Sequence, residues 1–187
     1  MIVNYLGERA FRLQSGDTSL LIDPDNNRLK ADVILRTLAP VTTIAGSTTE
    51  ISFPGEYEIK GMEIQGWARP EESSAKFLKT VFLVRWDDIT FAFLGHSTEI
   101  PEPDLLGKIA EADVLFMAVD PKHYFSSEHA LKLIKQCEPH LAIPAYVGAP
   151  KDLVKDLGVK GEVLDKFVFK KKDIVNDQDK IILLQAS

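Results

Sequence analysis

Four histidines are the first side chains in this sequence that could take part in chemistry, because hydrolytic metal sites are built from converging His, Asp, Glu and Cys residues. They are His96, His123, His129 and His140, and no two of them lie at the i, i+2 or i, i+4 spacing of a local ligand pair. His129 falls in the first turn of a predicted helix, and His140 follows Pro139 at the start of a predicted strand. The pattern indicates surface or capping histidines and predicts no local metal motif.

His96 differs from the other three because it follows an apolar strand almost directly. The apolar run from Phe91 to Leu94 is followed by Gly95, His96 and two hydroxyl residues. In layered α/β folds functional groups gather in the loops at strand ends, where an imidazole can act as a general base or bind a ligand. We therefore expect His96 to line a functional cleft, and it is the candidate catalytic residue.

Other catalytic motifs find little support. Gly55, Gly61 and Gly66 form neither a phosphate-binding loop nor a dinucleotide fingerprint, and no Gly-x-Ser-x-Gly nucleophile elbow is present. The single cysteine, Cys137, cannot form an intramolecular disulfide. Because it lies in an apolar helical pattern, a buried structural thiol is favoured over a nucleophile.

The elements that must position His96 change character along the chain. Strands and turns dominate the first half, and helices alternate with buried strands after about residue 100. The predicted strands are Ile2–Leu6, Phe11–Leu13, Thr18–Ile22, Asp32–Leu35, Glu56–Ile59, Met62–Trp67, Lys79–Trp86, Ile89–Leu94, Asp113–Val119, Leu141–Pro144, and strands near Phe167–Phe169 and Ile181–Leu184. The predicted helices carry Leu105–Ala110, Ala130–Cys137 and Lys151–Leu157, and residues 70–76 form a predicted polar loop. The strand–turn–strand layout occurs once in each half, which favours two facing β-sheets with helices outside.

Length and composition set the remaining limits. With 187 residues, 45% of them apolar and 27% charged, we expect residues 1–187 to form a single domain. A formal net charge of −6 disfavours nucleic-acid binding, and Lys170-Lys171-Lys172 is interpreted as a solvated edge or turn. The N-terminus is too polar for a signal peptide, and no apolar run approaches the roughly 20 residues of a membrane span. We expect a cytoplasmic protein without membrane or nucleic-acid partners, while a homo-oligomer is left open.

Several short motifs follow one another in a characteristic order. They are Tyr5-Leu6-Gly7, Phe11-Arg12-Leu13, Leu21-Ile22-Asp23-Pro24, Asp32-Val33-Ile34-Leu35, Phe53 to Gly61, Phe93-Leu94-Gly95, Ala112-Asp113-Val114-Leu115 and Ile143-Pro144. Their order and spacing resemble those of the metallo-β-lactamase-fold superfamily, and most of all its small zinc-dependent hydrolases. The resemblance covers nearly the whole chain. It implies an α/β fold: a four-layer αβ/βα sandwich of two mixed β-sheets flanked by helices.

The chain departs from this family at the metal ligands. The resemblance places four residues where the family has its His-x-His-x-Asp-His motif, which are Leu38, Pro40, Thr42 and Thr43. It also places Ala68-Arg69-Pro70 near the third family histidine, His96 at the bridging aspartate and Tyr146 at the last histidine. Leucine and proline offer no donor, and a threonine hydroxyl is a poor zinc ligand. The resemblance thus implies a cleft lined by these residues. The related proteins use zinc as a cofactor, whereas we expect no cofactor here.

Three hypotheses for function follow. The first is a degenerate, non-catalytic member of the fold that binds a protein partner or small molecule in this cleft or on a dimer face. The second is a surviving metal-free or zinc-dependent hydrolase in which His96 acts as the base. Its other parts would be drawn from Thr42, Thr43, Tyr146, Asp23, Asp25 and Glu56. The third is a structural subunit that pairs through an exposed β-edge.

Overall fold

The computed structural model describes residues 1–26, 28–42, 49–148, 150–158, 162–177 and 180–187. Among the described residues, strands form two mixed sheets and the helices are short. No helix in this part of the chain is long and apolar enough to cross a membrane.

The first sheet is built from strands whose side chains are alternately buried and part-exposed, the pattern of a sheet with one face on the core. Its strands are β1 (Ile2–Gly7), β2 (Ala10–Ser15), β3 (Thr18–Ile22), β4 (Val33–Leu35), β6 (Glu50–Ile51) and β13 (Phe167–Val168). Their order is β13-β1-β2-β3-β4-β6. The pairs β1–β2 and β2–β3 are antiparallel, whereas β3–β4 is parallel with Ile22 beside Leu35.

The second sheet contains the most thoroughly buried strands. Its members are β5 (Leu38–Pro40), β7 (Gly55–Ile59), β8 (Met62–Ala68), β9 (Phe77–Trp86), β10 (Ile89–Phe93), β11 (Val114–Val119), β12 (Leu141–Tyr146) and β14 (Lys180–Ile181). Their order is β14-β12-β11-β10-β9-β8-β7, with β5 also pairing β9. Every residue of β10, β11 and β12 is buried, as expected for parallel strands covered on both faces.

The two sheets pack face to face through aromatic side chains. Phe11 of β2 meets Phe116 of β11 with 4.9 Å between ring centroids, and Tyr5 of β1 meets Tyr146 of β12 at 5.2 Å. The helices are α1 (Pro103–Ile109), α2 (Ser127–Cys137), α3 (Pro150–Asp156) and α4 (Lys171–Ile174), with a 3-10 turn at Pro70–Glu72. Helix α2 buries its apolar residues and begins where the Ser126 side chain accepts a hydrogen bond from the His129 N–H.

This architecture is the predicted fold class, two mixed sheets flanked by helices. Cys137 is buried as expected, and burial raises the pKa of its thiol to about 11. The single-domain extent of 1–187 stays a prediction.

The structure confirms one local prediction and refines two others. Glu56–Ile59 forms the predicted strand, lies in β7 and pairs with β8, so it is not a turn. The Lys170-Lys171-Lys172 run is a solvated edge with Lys170 and Lys172 exposed, and Lys171 begins α4 with its Nζ 2.5 Å from an oxygen of Asp113. The polar loop at 70–76 opens with a 3-10 turn at Pro70–Glu72, in which the Glu72 side chain is 5% exposed.

Candidate functional site

The candidate site forms where parallel strands of both sheets end. Asp23 directly follows β3, Thr37 follows β4, and His96 follows β10 by three residues. The Asp23 N–H donates to the Leu35 carbonyl at 2.9 Å, which brings the ends of β3 and β4 together. Because the carboxyl ends of parallel strands lie at the same edge of a sheet, these side chains converge.

A continuous set of hydrogen bonds joins the three side chains. Asp23 Oδ1 accepts from the Thr37 N–H at 2.7 Å, and Asp23 Oδ2 accepts from the Thr37 hydroxyl at 2.5 Å. Thr37 Oγ1 lies 2.7 Å from His96 Nδ1 and accepts from the His96 N–H at 3.2 Å. Asp23 and Thr37 are buried, and the His96 side chain is 14% exposed.

These contacts fix the tautomer of His96. A hydroxyl has one proton to donate, and the carboxylate of Asp23 is the stronger acceptor for it. Thr37 Oγ1 must then accept from His96 Nδ1, so Nδ1 carries the proton and Nε2 has a free lone pair. No described residue hydrogen-bonds to Nε2, which leaves this nitrogen able to accept a proton or a ligand hydrogen bond.

The imidazole is held neutral at pH 7. Burial lowers the pKa of His96, and the Arg9 and Lys79 cations act in the same direction, while Asp23 opposes them. His96 Nδ1 lies 3.6 Å from Asp23 Oδ2, but Thr37 mediates the contact. The group is therefore a hydrogen-bonded relay from Asp23 through Thr37 to His96 and not an ion pair.

Gly95 makes this close approach possible. It has a φ of +42°, and a Cβ built on it would lie 1.9 Å from Thr37 Oγ1. Real carbon atoms do not approach an oxygen so closely, and side chains rarely adopt this backbone conformation. The glycine before His96 is thus required by the packing of Thr37.

Arg9 and Tyr124 form the wall beside His96. The rings of His96 and Tyr124 meet edge to face with 6.0 Å between centroids. Arg9 Nη1 donates to the Tyr124 hydroxyl at 2.7 Å, and its guanidinium lies 5.6 Å from the centre of the same ring. Arg9 also contacts Asp25 at 3.4 Å, while its Nε–H is buried without a hydrogen-bond partner among the described residues.

A polar depression of about 280 Å³ continues from Tyr124 along the surface. Donors and charged groups of both signs line it, and its residues include Thr98, Glu99, Lys122, His123, Tyr124, Ser126 and His129. His129 Nδ1 lies 3.8 Å from a carboxylate oxygen of Glu99. The depression therefore offers mixed polar contacts, and it shares Tyr124 with the wall beside His96, although neither His96 nor Arg9 lines it.

The predicted cleft residues are placed unevenly. His96 lies in the site, Leu38 and Pro40 lie in β5 directly after Thr37, and Thr42 is exposed in a turn. Thr43 lies outside the described residues. Tyr146 is buried, and its hydroxyl donates to the Leu184 carbonyl at 2.8 Å. Its backbone N–H donates to the Tyr5 hydroxyl, so the contacts of Tyr146 are with Tyr5 and Leu184.

The supporting carboxylates also separate. Asp23 belongs to the relay, and Asp25 reaches the site through Arg9. Glu56 lies in the edge strand β7 and lines a different depression with Arg85 and Lys108. Glu56 thus lies at the edge of the second sheet and not in the relay.

Sequence reasoning missed Thr37, Arg9, Tyr124 and the buried Arg69. Thr37 Oγ1 contacts His96 across 59 positions of sequence, and no local periodicity reports such a contact. A weak signal existed at Thr37, since it is a polar residue two positions after a predicted buried strand, and functional residues gather in such loops. Nothing in the sequence marked Arg9 or Tyr124.

The sequence matches the family described as the β-lactamase superfamily domain over residues 2–146, well over half of the chain. The chain belongs to this family. No curated protein matches it.

Solved structures with the metallo-β-lactamase fold are similar to the chain over most of its length. One from Thermotoga maritima, a proposed zinc-dependent hydrolase of the metallo-β-lactamase superfamily, has a TM-score of 0.79 at 18% identity and covers 98% of this chain and 97% of its own. A metallo hydrolase from Ignicoccus hospitalis has a TM-score of 0.67 at 16% identity, with 90% and 99% covered. The metallo-β-lactamase fold protein YhfI from Bacillus subtilis gives 0.68 at 11%, with 100% and 97% covered. At these identities the likeness shows the fold alone.

The donor set of this β-lactamase-superfamily chain does not fit a dinuclear zinc centre. At the positions implied by the resemblance, Leu38 and Pro40 have no donor atom, and the Tyr146 hydroxyl is bonded to Leu184. Arg69 places a buried guanidinium where a third histidine would stand, and a cation repels a divalent metal ion. His96 Nε2 is one donor, whereas zinc takes about four.

Proposed function

We propose that this chain is a β-lactamase-superfamily protein without a working dinuclear zinc centre, which binds a small ligand or partner at His96 and does not catalyse hydrolysis. The observation that carries the proposal is the relay from Asp23 through Thr37 to His96. It presents an oriented, neutral imidazole at a strand-end cleft whose implied ligand positions lack zinc donors. An oriented acceptor of this kind recognises a ligand that donates a hydrogen bond.

Two further observations support a small ligand. The depression beyond Tyr124, about 280 Å³, is close to the lower end of the roughly 300–1,000 Å³ range of ligand pockets. The Nε–H of Arg9 is a buried donor without a partner among the described residues, and such donors are usually satisfied by water or a ligand. A ligand with both an acceptor for Arg9 and a donor for His96 satisfies both groups.

A metal-free or metal-dependent hydrolase is the second candidate, and the relay itself favours it. A carboxylate that orients a neutral histidine through a hydrogen bond is how general bases are prepared in hydrolases. His96 Nε2 would then take a proton from water or a nucleophile. Two observations count against it: the Tyr146 hydroxyl is engaged by Leu184, and Thr42 is an exposed turn residue.

Metal content and ligand binding distinguish the two candidates. We would measure zinc, manganese and iron by mass spectrometry on tag-free protein after loading and desalting. We would then screen small polar compounds by thermal shift on the wild type, on His96→Ala and on the control His140→Ala. His140 bonds to the Asp177 carbonyl, away from the relay, and matches the chemical change.

The proposal expects less than about a tenth of an equivalent of each metal, since one His donor holds zinc weakly. It also expects a ligand-induced shift that His96→Ala removes and His140→Ala retains. One or two tightly held equivalents, or a hydrolytic turnover that His96→Ala abolishes, would move the hydrolase to first place. A stable oligomer with no ligand shift would favour the structural subunit. The cytoplasm is the location proposed for each alternative.

A further inference from the structure

A second group of charges, also largely buried, lies beside the relay. The Arg69 side chain is 1% exposed and that of Glu72 is 5% exposed, and Arg69 Nη2 lies 2.6 Å from Glu72 Oε1. Lys79 Nζ lies 3.0 Å from Glu72 Oε2, and Arg69 Nε also pairs with Glu71. We call Arg69, Glu72 and Lys79 the Arg69 cluster.

The Arg69 cluster holds the loop that follows His96. Glu72 Oε2 accepts from the Thr98 N–H at 2.7 Å and from the Thr98 hydroxyl at 2.9 Å. Arg69 donates to the Glu99 carbonyl at 3.3 Å from both terminal nitrogens, and Nη1 also reaches Ser97 Oγ at 3.4 Å. Each of the three residues after His96 is thus bonded to the cluster.

The same cluster is tied to the other side of the relay through β9. The Arg69 N–H donates to the Lys79 carbonyl at 2.8 Å, and the next residue, Thr80, donates its N–H to the Thr37 carbonyl at 2.9 Å. Thr37 and the loop after His96 are therefore both bonded to the segment that carries the cluster. These bonds connect the backbone on the two sides of the contact between Thr37 Oγ1 and the His96 ring.

An ion pair whose side chains are almost inaccessible to water is costly to form, because both charges lose their hydration. Burial acts to raise the pKa of Glu72, but the Thr98 N–H, Lys79 and Arg69 together lower it below its usual range. Glu72 is thus ionised at neutral pH, and most of its acceptor positions are directed at Thr98, Glu99, Arg69 and Lys79. In some proteins a buried pair of this kind specifies one arrangement of the groups around it.

We propose that the Arg69 cluster positions His96, so that the end of β8 and the loop after β10 are joined by internal charges and the site keeps its geometry without a metal ion. Arg69, Glu72 and Lys79 are positioning residues in this role and touch no ligand. The role does not depend on what His96 binds or on whether it is catalytic.

Three variants test the proposal on the ligand-free protein. Arg69→Met removes the charge and keeps the volume, Glu72→Gln keeps an acceptor but loses the charge, and Thr98→Val removes one hydroxyl that Glu72 holds. The matched control is Arg85→Met, because Arg85 and Glu63 form a pair at 3.9 Å with both side chains more than 60% exposed. The first readout is the unfolding temperature, and the second is the nitrogen chemical shifts of the His96 ring measured by NMR.

We expect the wild type to show one His96 tautomer, with Nδ1 protonated and Nε2 not. Arg69→Met should lower the unfolding temperature by about 10 °C, since removing one partner leaves a buried charge. Arg85→Met should change it by less than about 2 °C, as for other exposed pairs. Glu72→Gln and Thr98→Val should stay folded and show a mixture of His96 tautomers.

Wild-type ring shifts in folded Glu72→Gln and Thr98→Val would overturn the proposal, because the cluster would then stabilise the fold without positioning His96. In a separate experiment the wild-type protein is dialysed against a chelator. We expect its unfolding temperature and its His96 tautomer to be unchanged. A drop of several degrees or a change of tautomer would show that a metal holds the site, and would also overturn the proposal. Because no ligand is used, these outcomes are separate from the failure of the ligand screen.

Discussion

Two sets of positions at the same edge of the fold carry very different side chains. The support positions are Asp23, Thr37 and Gly95: short hydrogen bonds join the first two, and Gly95 packs closely against Thr37. The ligand positions implied by the family resemblance, Leu38 and Pro40, lie one and three residues after Thr37 and carry no donor. The first set of positions supports the backbone of the fold, whereas the second set would serve only to bind a metal ion.

The physical reason is that the support positions are constrained by the fold itself. Asp23 satisfies the buried N–H and hydroxyl of Thr37, and a lost partner there leaves polar groups without water. Pro40 is exposed and Leu38 is half-buried, so neither side chain has to satisfy a buried polar group of the folded chain. A position that would serve only to bind a metal ion is not constrained by the packing of the fold.

The largest effect should come from Gly95→Ala. The new Cβ would meet Thr37 Oγ1 at 1.9 Å on a backbone with φ of +42°, so the site must open or strain. We expect about 4 kcal/mol of lost stability in urea unfolding, combining overpacking with a left-handed conformation. Gly107→Ala is the control, because it lies in α1 with open space around its Cβ position and should not destabilise the protein. Equal stability of the two variants would contradict the close packing described for the support positions.

The next effect concerns the carboxylate of the relay. Asp23→Ala leaves the buried Thr37 N–H and hydroxyl without their acceptor, and we expect a loss of about 3 kcal/mol. Asp25→Ala removes a partly exposed carboxylate 3.4 Å from Arg9 and should cost less than about 1 kcal/mol. Chemical unfolding of the two variants measures the difference. Similar costs for both would mean that Asp23 is no more than an ordinary turn residue.

Asp23→Asn sharpens the same comparison without a large loss of stability. The amide can still accept from the Thr37 N–H, but its NH2 group would donate to Thr37 Oγ1. The Thr37 hydroxyl would then donate to His96 Nδ1, and the ring proton would move to Nε2. The nitrogen NMR shifts of the His96 ring should therefore show a protonated Nε2 and an unprotonated Nδ1, the reverse of the wild type. An unchanged tautomer would contradict the hydrogen-bond directions assigned to the relay.

The fold and the place of His96 in the site could be predicted from sequence because their signals are local. Apolar alternation gave most strands within one or two residues, and a glycine and histidine after the strand Ile89–Phe93 marked His96. Strand β5 was missed because it is three residues long and contains Pro40, and proline argues against a strand. The short pair Glu50–Ile51 gave no periodic signal at all.

The rest of the site depends on contacts between distant residues. Asp23 and Thr37 are 14 positions apart, and Thr37 and His96 are 59 apart, so neither contact leaves a pattern in a local window. The segment 70–76 looked like a solvated loop because Glu71, Glu72 and Lys76 are charged. The burial of its Glu72 side chain, which is 5% exposed, follows from Arg69 and Lys79, which neutralise Glu72 in the folded chain. Charge pairing of this kind cannot be deduced from composition.

A smaller effect is expected from the titration of His96. Burial lowers its pKa from the ordinary value of 6.5, so the unfolded chain binds a proton in a pH range where the folded chain does not. Stability therefore rises with pH across that range, and it falls when the pH drops below 6.5. Wild type and His96→Gln, unfolded in urea between pH 5 and 8, measure the difference. A wild type that gains stability relative to His96→Gln as the pH falls would contradict the neutral, buried imidazole.

The smallest effect should follow from restoring the two histidines that the family has at the positions of Leu38 and Pro40. Residues i and i+2 of a strand share a face, so Leu38→His with Pro40→His places two imidazoles together on β5. Because Pro40 is exposed and Leu38 half-buried, we expect a stability change of less than about 1 kcal/mol. Zinc binding, measured by calorimetry, should stay weak, since the guanidinium of Arg69 and the engaged Tyr146 hydroxyl add no ligands. Tight, stoichiometric binding would show instead that the support positions still hold the geometry of a metal site and that two side chains separate this chain from one.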